Sequence, residues 1–224
     1  MIVDLFGTLI PIECDDEAHR WLSQVLATSL GTDAEALYAT YRKYVDKGFG
    51  SLQALVRACE EVSHRLLDLY TVEELSYLHI EAHARFSRLK PDATVFLKWL
   101  RSIPVLTAIV SDADPGVALA ILRRLGIDRY FDAVVETGSY GVRKPDPRIL
   151  RIVMSLTGMD SVRCGRMVVV GDSVRDLELA KNIGAELFIH VVGRAEGVQS
   201  FDRSVVQVQN LIEAVRVLEE FIYS

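Results

Sequence analysis

The residues that could do chemistry begin with Asp4. This aspartate follows the apolar stretch Met1–Val3, which predicts a β-strand, and it precedes Gly7, which favours a sharp turn. A carboxylate is therefore expected where a buried strand runs into a loop, and ligands of open α/β sheets bind at that end of the strands. Taken alone, the pattern is also typical of an ordinary turn with an acidic residue.

Short polar side chains also follow two later apolar runs of strand length, and a lysine lies in a loop that leads into a helix. These residues are Ser111 and Asp112, then Asp172 and Asp176, and the lysine is Lys144. Because the carboxyl ends of parallel strands meet at one edge of a sheet, we expect these side chains to converge on Asp4 and Thr8. The predicted site combines carboxylates, a hydroxyl and one ammonium group.

These groups together indicate metal-assisted nucleophilic chemistry. Crowded carboxylates repel one another and need a cation if all are to stay ionised; Mg²⁺ suits them, with Asp172 as the expected direct ligand. Asp4 could give one oxygen to the metal and attack with the other, which would divide one difficult step into two. Ser111 and the backbone amides behind it would hold an anion. Lys144 would neutralise charge that develops on the transferring group.

Hydrophobic periodicity predicts the elements that must position these residues. From about residue 90 onward, strand-like and helix-like patterns alternate, which predicts an α/β fold with a doubly wound parallel sheet. Between the first strand and this part lie four helical patterns without any strand signal. We therefore predict a Rossmann-like core of residues 1–11 and 90–224 with an inserted all-helical cap at residues 12–89.

The expected bounds of these elements follow from turn and capping residues. The strands are expected at 1–3, 105–110, 131–135, 168–170 and 187–192, and the core helices at 93–101, 117–125, 145–156, 174–183 and 210–222. The cap helices are expected to begin near residues 15, 32–33, 51 and 71, the last with a capping box at Thr71–Glu74.

The composition excludes several classes of protein. The chain has 224 residues, of which half are hydrophobic and a quarter are charged, which is untypical of a disordered protein. The formal net charge is −6 and no basic stripe stands out, so no nucleic-acid partner is expected. No apolar run approaches the roughly 18–20 residues of a membrane span. The N-terminus has no basic leader, so we expect a cytoplasmic protein without a membrane partner.

The cysteines and histidines show no metal or redox motif. Cys14, Cys59 and Cys164 are odd in number and far apart, which favours structural thiols in a reducing compartment. His79 and His83 are four residues apart, so a helix would place them on one face. With no third ligand nearby in the sequence, they are interpreted as a feature of the helix surface.

Four motifs, in order, resemble those of the haloacid dehalogenase superfamily. They are Asp4–Leu9 (Asp-Leu-Phe-Gly-Thr-Leu), a strand that ends in Ser111, Lys144 followed by proline, and Gly171–Asp176 (Gly-Asp-Ser-Val-Arg-Asp). The resemblance implies a hydrolase with Asp4 as nucleophile and with Ser111 and Lys144 in the catalytic set; Thr8 and Asp112 are assigned to substrate binding beside them. It also implies Mg²⁺ bound by Asp4, Asp172, Asp176 and the backbone carbonyl of Phe6. The predicted helical insertion looks like the family's four-helix cap.

Phe6 departs from the pattern of the family's phosphatases. Those enzymes usually carry a second aspartate at this position as general acid and base, and phenylalanine cannot transfer protons. Protonation of the leaving group and hydrolysis of an aspartyl-phosphate would lose roughly 10²–10⁴-fold. The same replacement resembles the 2-haloacid dehalogenases, in which the aspartate attacks carbon and the leaving halide needs no proton.

Three functions therefore stay open. The favoured one is a Mg²⁺-dependent phosphatase that acts on a small phosphorylated molecule through an aspartyl-phosphate on Asp4. The first alternative is a metal-independent 2-haloacid dehalogenase, but those enzymes tend to have asparagine where this chain has Asp112 and Ser-Asn-type residues in the fourth motif. The second alternative is a catalytically weak descendant that binds a ligand or a protein. Neither the substrate nor the oligomeric state follows from helical periodicity.

Several site residues also have purely structural explanations. Thr8 could only cap its turn, and Asp176 could hold Lys144 or Arg175 instead of a metal ion. Asp112 and Asp114 could be solvated loop acids, with Asp114 as the N-cap of the following helix. Only three residues precede Asp4, which is short for a central strand and compatible with a natural start upstream of Met1.

Overall fold

A six-stranded parallel sheet forms the centre of the molecule. The computed structural model describes residues 1–159, 166–192 and 204–223, and its strands lie in the order β3-β2-β1-β4-β5-β6. All neighbouring strands are parallel. The strands are β1 (Ile2–Val3), β2 (Ala108–Ser111), β3 (Ala133–Glu136), β4 (Val168–Gly171), β5 (Leu187–Val191) and β6 (Val205–Val208). This order confirms the predicted α/β doubly wound sheet, with its switch point between β1 and β4.

Helices cover both faces of the sheet. The first four are α1 (Glu13–Leu30), α2 (Ala34–Asp46), α3 (Ser51–Ser63) and α4 (Leu69–Phe86). The later ones are α5 (Ala93–Leu100), α6 (Val117–Arg124), α7 (Arg148–Thr157), α8 (Val174–Asn182) and α9 (Leu211–Tyr223). None of the described helices is both long and apolar enough to cross a membrane.

Alternate residues of each strand bury against different helices. Val3, Ile109 and Val170 pack on one face with α5, α6 and α9. Ile2 and Val169 pack on the other face with α7 and α8. Since both faces are covered, the strands read as continuous apolar runs rather than as alternating patterns.

Helices α1–α4 (residues 13–86), here called the helical bundle, have an apolar core of their own. Its central side chains include Leu22, Leu37, Tyr41, Leu55 and Leu75, all of which are almost completely buried. Four helices were expected in this part of the chain, and four are present. The bundle is inserted between β1 and the rest of the sheet, so its position relative to the strand ends decides what it can contact.

Some predicted helix starts are wrong. The expected capping box at Thr71–Glu74 is not used, because the Asp68 carboxylate accepts a hydrogen bond from the backbone N–H of Thr71 (2.8 Å) and α4 begins at Leu69. Helix α1 begins at Glu13, ahead of the expected acidic cap. Asp33 does cap α2, with its carboxylate accepting from the N–H of Ala36 (2.8 Å).

Two strand predictions also differ from the structure. Strand β2 begins at Ala108 rather than at residue 105, because its partner β1 pairs only Ile2 with Ala108 and Val3 with Ile109. Strand β6 was missed, since it is a four-residue edge strand with a single fully buried side chain, Val208. Cys14 and Cys59 are buried free thiols, as expected, and Cys164 lies outside the described residues.

Truncation of Leu55 to alanine should destabilise the protein. Leu55 is completely buried in the bundle core, so Leu55→Ala is expected to lower the free energy of unfolding by about 2–5 kcal/mol. Chemical denaturation measures this change. The matched control is Leu66→Ala, because Leu66 is 88% exposed and its truncation should change the free energy by less than about 0.5 kcal/mol. Equal effects of the two substitutions would contradict the bundle core described here.

Candidate active site

The carboxyl ends of β1, β2 and β4 bring the sequence-predicted residues together. The backbone N–H of Asp4 bonds to the carbonyl of Val170 (2.9 Å), which fixes Asp4 beside the end of β4. A cavity of about 230 Å³ opens at this edge, and the predicted residues that line it are Asp4, Phe6, Ser111, Asp112, Lys144 and Asp172. A larger cavity, of about 320 Å³, lies at the opposite ends of these strands and contains none of the predicted residues.

Lys144 is the buried counter-charge of this site. Its ammonium donates to Asp4 Oδ1 (2.5 Å) and to Asp176 Oδ1 (2.7 Å), and all three side chains are almost fully buried. Burial by itself would lower the pKa of Lys144, but the charges of Asp4 and Asp176 outweigh it and raise the pKa above its usual value. The lysine therefore stays charged and orients the Asp4 carboxylate.

Thr8 links Asp4 to Asp172. Its hydroxyl donates to Asp4 Oδ2 (3.2 Å) and lies 3.5 Å from Asp172 Oδ1. Burial raises the pKa of Asp4 to about 7, an effect that the ammonium of Lys144 opposes and the charges of Asp176 and Asp172 reinforce. Burial and the charge of Asp176 also raise the pKa of Asp172.

The carboxylates of Asp4, Asp172 and Asp176 fit an oxygen-seeking divalent cation. One oxygen from each lies within 4.8 Å of the others. Burial raises the pKa of Asp4 and of Asp172 although the ammonium of Lys144 opposes the change, so a further positive charge would favour their ionised forms. An ion such as Mg²⁺, which prefers carboxylate and carbonyl oxygens, suits this donor set.

Two glycines make room for the acids. Gly7 has φ +87°, and a Cβ at this position would lie 2.0 Å from Asp172 Oδ2. A Cβ on Gly171 would lie 2.5 Å from the Cβ of Asp176. The turn after β1 and the end of β4 therefore depend on glycine for the close approach of the carboxylates.

Comparisons with known proteins identify the family of this chain. The family model of the haloacid dehalogenase-like hydrolases matches residues 1–184. The chain belongs to this family. A phosphoglycolate phosphatase of Mesorhizobium japonicum is 28% identical over 188 residues, which are 82% of this chain and 78% of that protein.

Two solved structures share the fold of this haloacid dehalogenase-like hydrolase. A HAD phosphatase from Thermococcus onnurineus superposes with a TM-score of 0.70 at 22% identity and covers 97% of this chain and 96% of its own. An L-2-haloacid dehalogenase from Xanthobacter autotrophicus, solved with chloropropionic acid covalently bound, gives a TM-score of 0.64 at 17% identity and covers 97% of both chains.

Lys144 and Ser173 hold the carboxylate of Asp176 in this hydrolase. Its Oδ1 accepts from Lys144, and its Oδ2 accepts from the backbone N–H (3.1 Å) and the hydroxyl (2.5 Å) of Ser173. Ser173 and Asp176 form a capping box at the start of α8. The contact between Asp176 and Lys144 that the sequence allowed is therefore present. Arg175 instead pairs with Asp112, with 3.0 Å between Nη1 and Oδ2.

Asp112 and Asp114 are not the solvated acids that the sequence allowed. Asp112 Oδ1 accepts from the hydroxyl of Thr137 (2.9 Å) and from the backbone N–H of Lys144 (3.0 Å), so it holds the lysine loop. Asp114 accepts from the N–H of Leu52 (2.7 Å) in the first turn of α3. The prediction that Asp114 caps the following helix is wrong.

Glu136 takes the capping role at α6 instead. Its carboxylate accepts from the backbone N–H groups of Gly116 (2.8 Å) and Leu119 (3.0 Å) at the start of that helix. Glu136 is 20 residues further along the chain, at the end of β3, so local capping rules could not identify it.

The interpretation of His79 and His83 as surface residues is also wrong. Both are only 2% exposed, and His19 of α1 packs against them. The His83 ring meets the Phe6 ring edge-on, with 6.2 Å between centroids. His79, His83 and Asp15 line the same cavity as Asp4. The four-residue spacing of His79 and His83 was the one sequence pattern that indicated this pair. His19 lies 60 residues before His79, and only the packing of α1 on α4 brings it near the pair.

Asp4→Asn should stabilise the metal-free hydrolase at high pH. The pKa of Asp4 is raised from 3.8 to about 7, so its ionised form is disfavoured in the folded state. A raised pKa contributes stability below pH about 4 that is lost as the pH rises through about 7, and asparagine avoids this loss.

Chemical denaturation in EDTA at pH about 4 and at pH about 8 measures the effect. We expect the variant to gain on the wild type between the two pH values, and Asp46→Asn, which removes an exposed carboxylate, to follow the wild type. An Asp4→Asn variant that gains nothing at the higher pH would contradict the burial of an ionisable Asp4.

Proposed function

We propose that this hydrolase is a Mg²⁺-dependent phosphatase of the cytoplasm that acts on a small phosphorylated molecule through an aspartyl-phosphate on Asp4. The observation that carries the proposal is the Asp4 carboxylate, which lines the cavity and is held by Lys144 and Thr8 next to Asp172. The phosphoglycolate phosphatase of Mesorhizobium japonicum, with its 28% identity, supports the same reaction class.

In the first step a carboxylate oxygen of Asp4 forms a bond to phosphorus while the bond from phosphorus to the leaving oxygen breaks. The ammonium of Lys144, 2.5 Å from Asp4 Oδ1, would offset negative charge on the transferring group. Ser111, buried at the end of β2, and Thr8 would position its oxygens. Water then attacks phosphorus, and the bond from phosphorus to the Asp4 oxygen breaks. Phosphate is released and the Asp4 carboxylate is restored.

The residues proposed to hold Mg²⁺ are Asp4, Asp172, Asp176 and the backbone carbonyl of Phe6. Bound there, Mg²⁺ would supply charge neutralisation and polarise the phosphoryl oxygens. Asp172 suits direct ligation best, since the hydroxyl of Thr8 is 3.5 Å from its Oδ1, at the limit of a hydrogen bond. Asp176 already accepts from Lys144 and Ser173, so its contribution would be through these partners or through a metal-bound water.

We also propose that residues 12–89 act as a cap over the core of residues 1–11 and 90–224. Ile12, Asp15, His79 and His83 line the cavity from the bundle side. The cavity of about 230 Å³ is below the roughly 300–1,000 Å³ of pockets for drug-sized ligands, which favours a small substrate. Asp112 would act on the substrate mainly by placing Arg175, a cation at the cavity wall.

A 2-haloacid dehalogenase is the second candidate, and Phe6 is the observation that favours it. The phenylalanine lines the cavity where a phosphatase would use an acid, and a leaving halide needs no proton. The carboxylates clustered with Asp4 argue against it, because an aspartyl-ester mechanism without metal uses Asp4 as nucleophile but needs no metal ligands at Asp172 and Asp176.

A substrate panel separates the candidates. The panel consists of p-nitrophenyl phosphate, acetyl phosphate and 2-chloropropionate. We expect phosphate release from the first two substrates, which EDTA abolishes and Mg²⁺ restores, and no chloride release from the third. Asp4→Asn should lose nearly all of this activity, since the carboxylate proposed to take the phosphoryl group is then absent, while Asp46→Asn should keep it. Chloride release that persists in EDTA would support the dehalogenase instead, and no turnover of any substrate would support a binding protein.

Phe6→Asp should raise turnover of alkyl phosphates. An acid at this position could protonate a poor leaving group and activate water, and such proton transfer contributes roughly 10²–10⁴-fold. The gain should be smaller with p-nitrophenyl phosphate, whose leaving group needs little protonation. Phe6→Leu is the matched control, because it removes the ring without adding a proton donor. A folded Phe6→Asp variant with unchanged alkyl phosphatase activity would contradict the proposed role of the missing acid.

A further inference from the structure

The bundle contains a second cluster of potential metal ligands, built from His19, His79 and His83. All three rings are at most 2% exposed. The ring centroids are 4.7 Å apart for His19 and His83, 4.3 Å for His79 and His83, and 5.4 Å for His19 and His79. One ring nitrogen from each lies within 4.8 Å of the others.

Backbone hydrogen bonds fix the tautomers of two of these rings. Nδ1 of His19 is 2.8 Å from the carbonyl oxygen of Asp15, and Nδ1 of His83 is 2.8 Å from that of His79. A carbonyl only accepts, so both Nδ1 atoms carry hydrogen and each neutral ring keeps its lone pair on Nε2. Metal-binding histidines in proteins are commonly oriented in this way.

Two of the three Nε2 atoms lack the hydrogen-bond partners that buried polar atoms normally have. Within the described part of the chain, Nε2 of His19 and Nε2 of His79 are buried without any hydrogen-bond partner. A neutral imidazole whose Nε2 makes no hydrogen bond can offer its lone pair to a metal ion.

Asp15 supplies a carboxylate next to His83, at the edge of the histidine cluster. Its Oδ1 is 3.1 Å from Nε2 of His83. Two acceptors at this distance need a proton or a cation between them. Two ligands of one tetrahedral Zn²⁺ ion, at bond lengths of 2.0–2.1 Å, are about 3.3 Å apart. A proton would satisfy only this pair, whereas a cation would also serve Nε2 of His19 and Nε2 of His79, which make no hydrogen bond. Nε2 of His79 lies 3.9 Å from Asp114 Oδ2, too far for a hydrogen bond.

We propose that His19, His79 and His83 bind a divalent transition-metal ion of the Zn²⁺ class, with Asp15 as the fourth ligand. Imidazole nitrogens favour such ions over Mg²⁺, so the site is chemically distinct from the carboxylates around Asp4. His79, His83 and Asp15 line the cavity, which provides a path from solvent. Closing the nitrogen positions onto one ion needs side-chain shifts of roughly an ångström.

The proposed ion would join α1 to α4 and so stabilise the bundle. A ligand that binds only the folded state stabilises it in proportion to the logarithm of its concentration over its dissociation constant. We therefore expect the melting temperature to rise when Zn²⁺ or Co²⁺ is added in the presence of excess Mg²⁺. This consequence does not depend on the phosphatase proposal, since it involves only binding and folding.

Titration of the full chain with Co²⁺ in excess Mg²⁺ tests the proposal directly. We expect one Co²⁺ per chain, with the strong visible absorption of a tetrahedral nitrogen-rich site. His19→Asn and His79→Asn remove an Nε2 ligand, and the asparagine amide can replace Nδ1 of His19 as a donor. Each should weaken Co²⁺ binding by about tenfold or more and remove the thermal shift.

Two control variants make the test specific. His64→Asn removes an exposed histidine at the end of α3 and should leave Co²⁺ binding unchanged. Asp172→Asn should leave the visible absorption in place. Absence of Co²⁺ and Zn²⁺ binding would overturn the proposal, as would absorption that survives both histidine substitutions or disappears in Asp172→Asn. Circular dichroism confirms that each variant is folded. If one histidine variant does not fold, the other is sufficient for the test.

Discussion

The site depends on one electrostatic constraint, which is that three aspartates share a buried place with a single ammonium group. Lys144 bonds to Asp4 and Asp176, while Thr8 contacts Asp4 and Asp172. Burial and mutual repulsion raise the pKa of Asp4 and of Asp172, so ionisation of all three carboxylates is unfavourable without further positive charge. Glycine at positions 7 and 171 allows the aspartates to lie this close, because a Cβ at either position would overlap an aspartate.

The same constraint explains why the loops around the site are tied so closely to it. The Asp112 carboxylate accepts a hydrogen bond from the backbone N–H of Lys144, and Ser173 forms a capping box with Asp176. Lys144, which contacts Asp4, and Asp176, which contacts Lys144, are therefore each held by a further residue. The bundle lines the same cavity with Asp15, His79 and His83. The Phe6 ring also lines it and meets the His83 ring edge-on, with 6.2 Å between centroids.

Local patterns were sufficient to predict most of the sheet and the convergence of the polar residues at its strand ends. Apolar runs that end in Asp4, Ser111 and Asp172 identified strand ends, and parallel pairing alone was enough to bring them together. Contacts between distant elements could not be predicted in this way. Asp114 caps α3 and Glu136 caps α6 across tertiary interfaces, and His19 reaches His79 only because α1 packs on α4. The short edge strand β6 was missed because four residues carry too little periodicity.

The most direct measurement of the central claim is chemical trapping of the covalent intermediate. The enzyme would be mixed with acetyl phosphate and Mg²⁺, quenched rapidly and reduced with borohydride, which converts an aspartyl-phosphate into homoserine. Mass spectrometry of the N-terminal peptide then locates the change. The account predicts homoserine at position 4 and nowhere else, and none in the Asp4→Asn variant. Turnover of acetyl phosphate without modification of residue 4, or with homoserine at another aspartate, would contradict it.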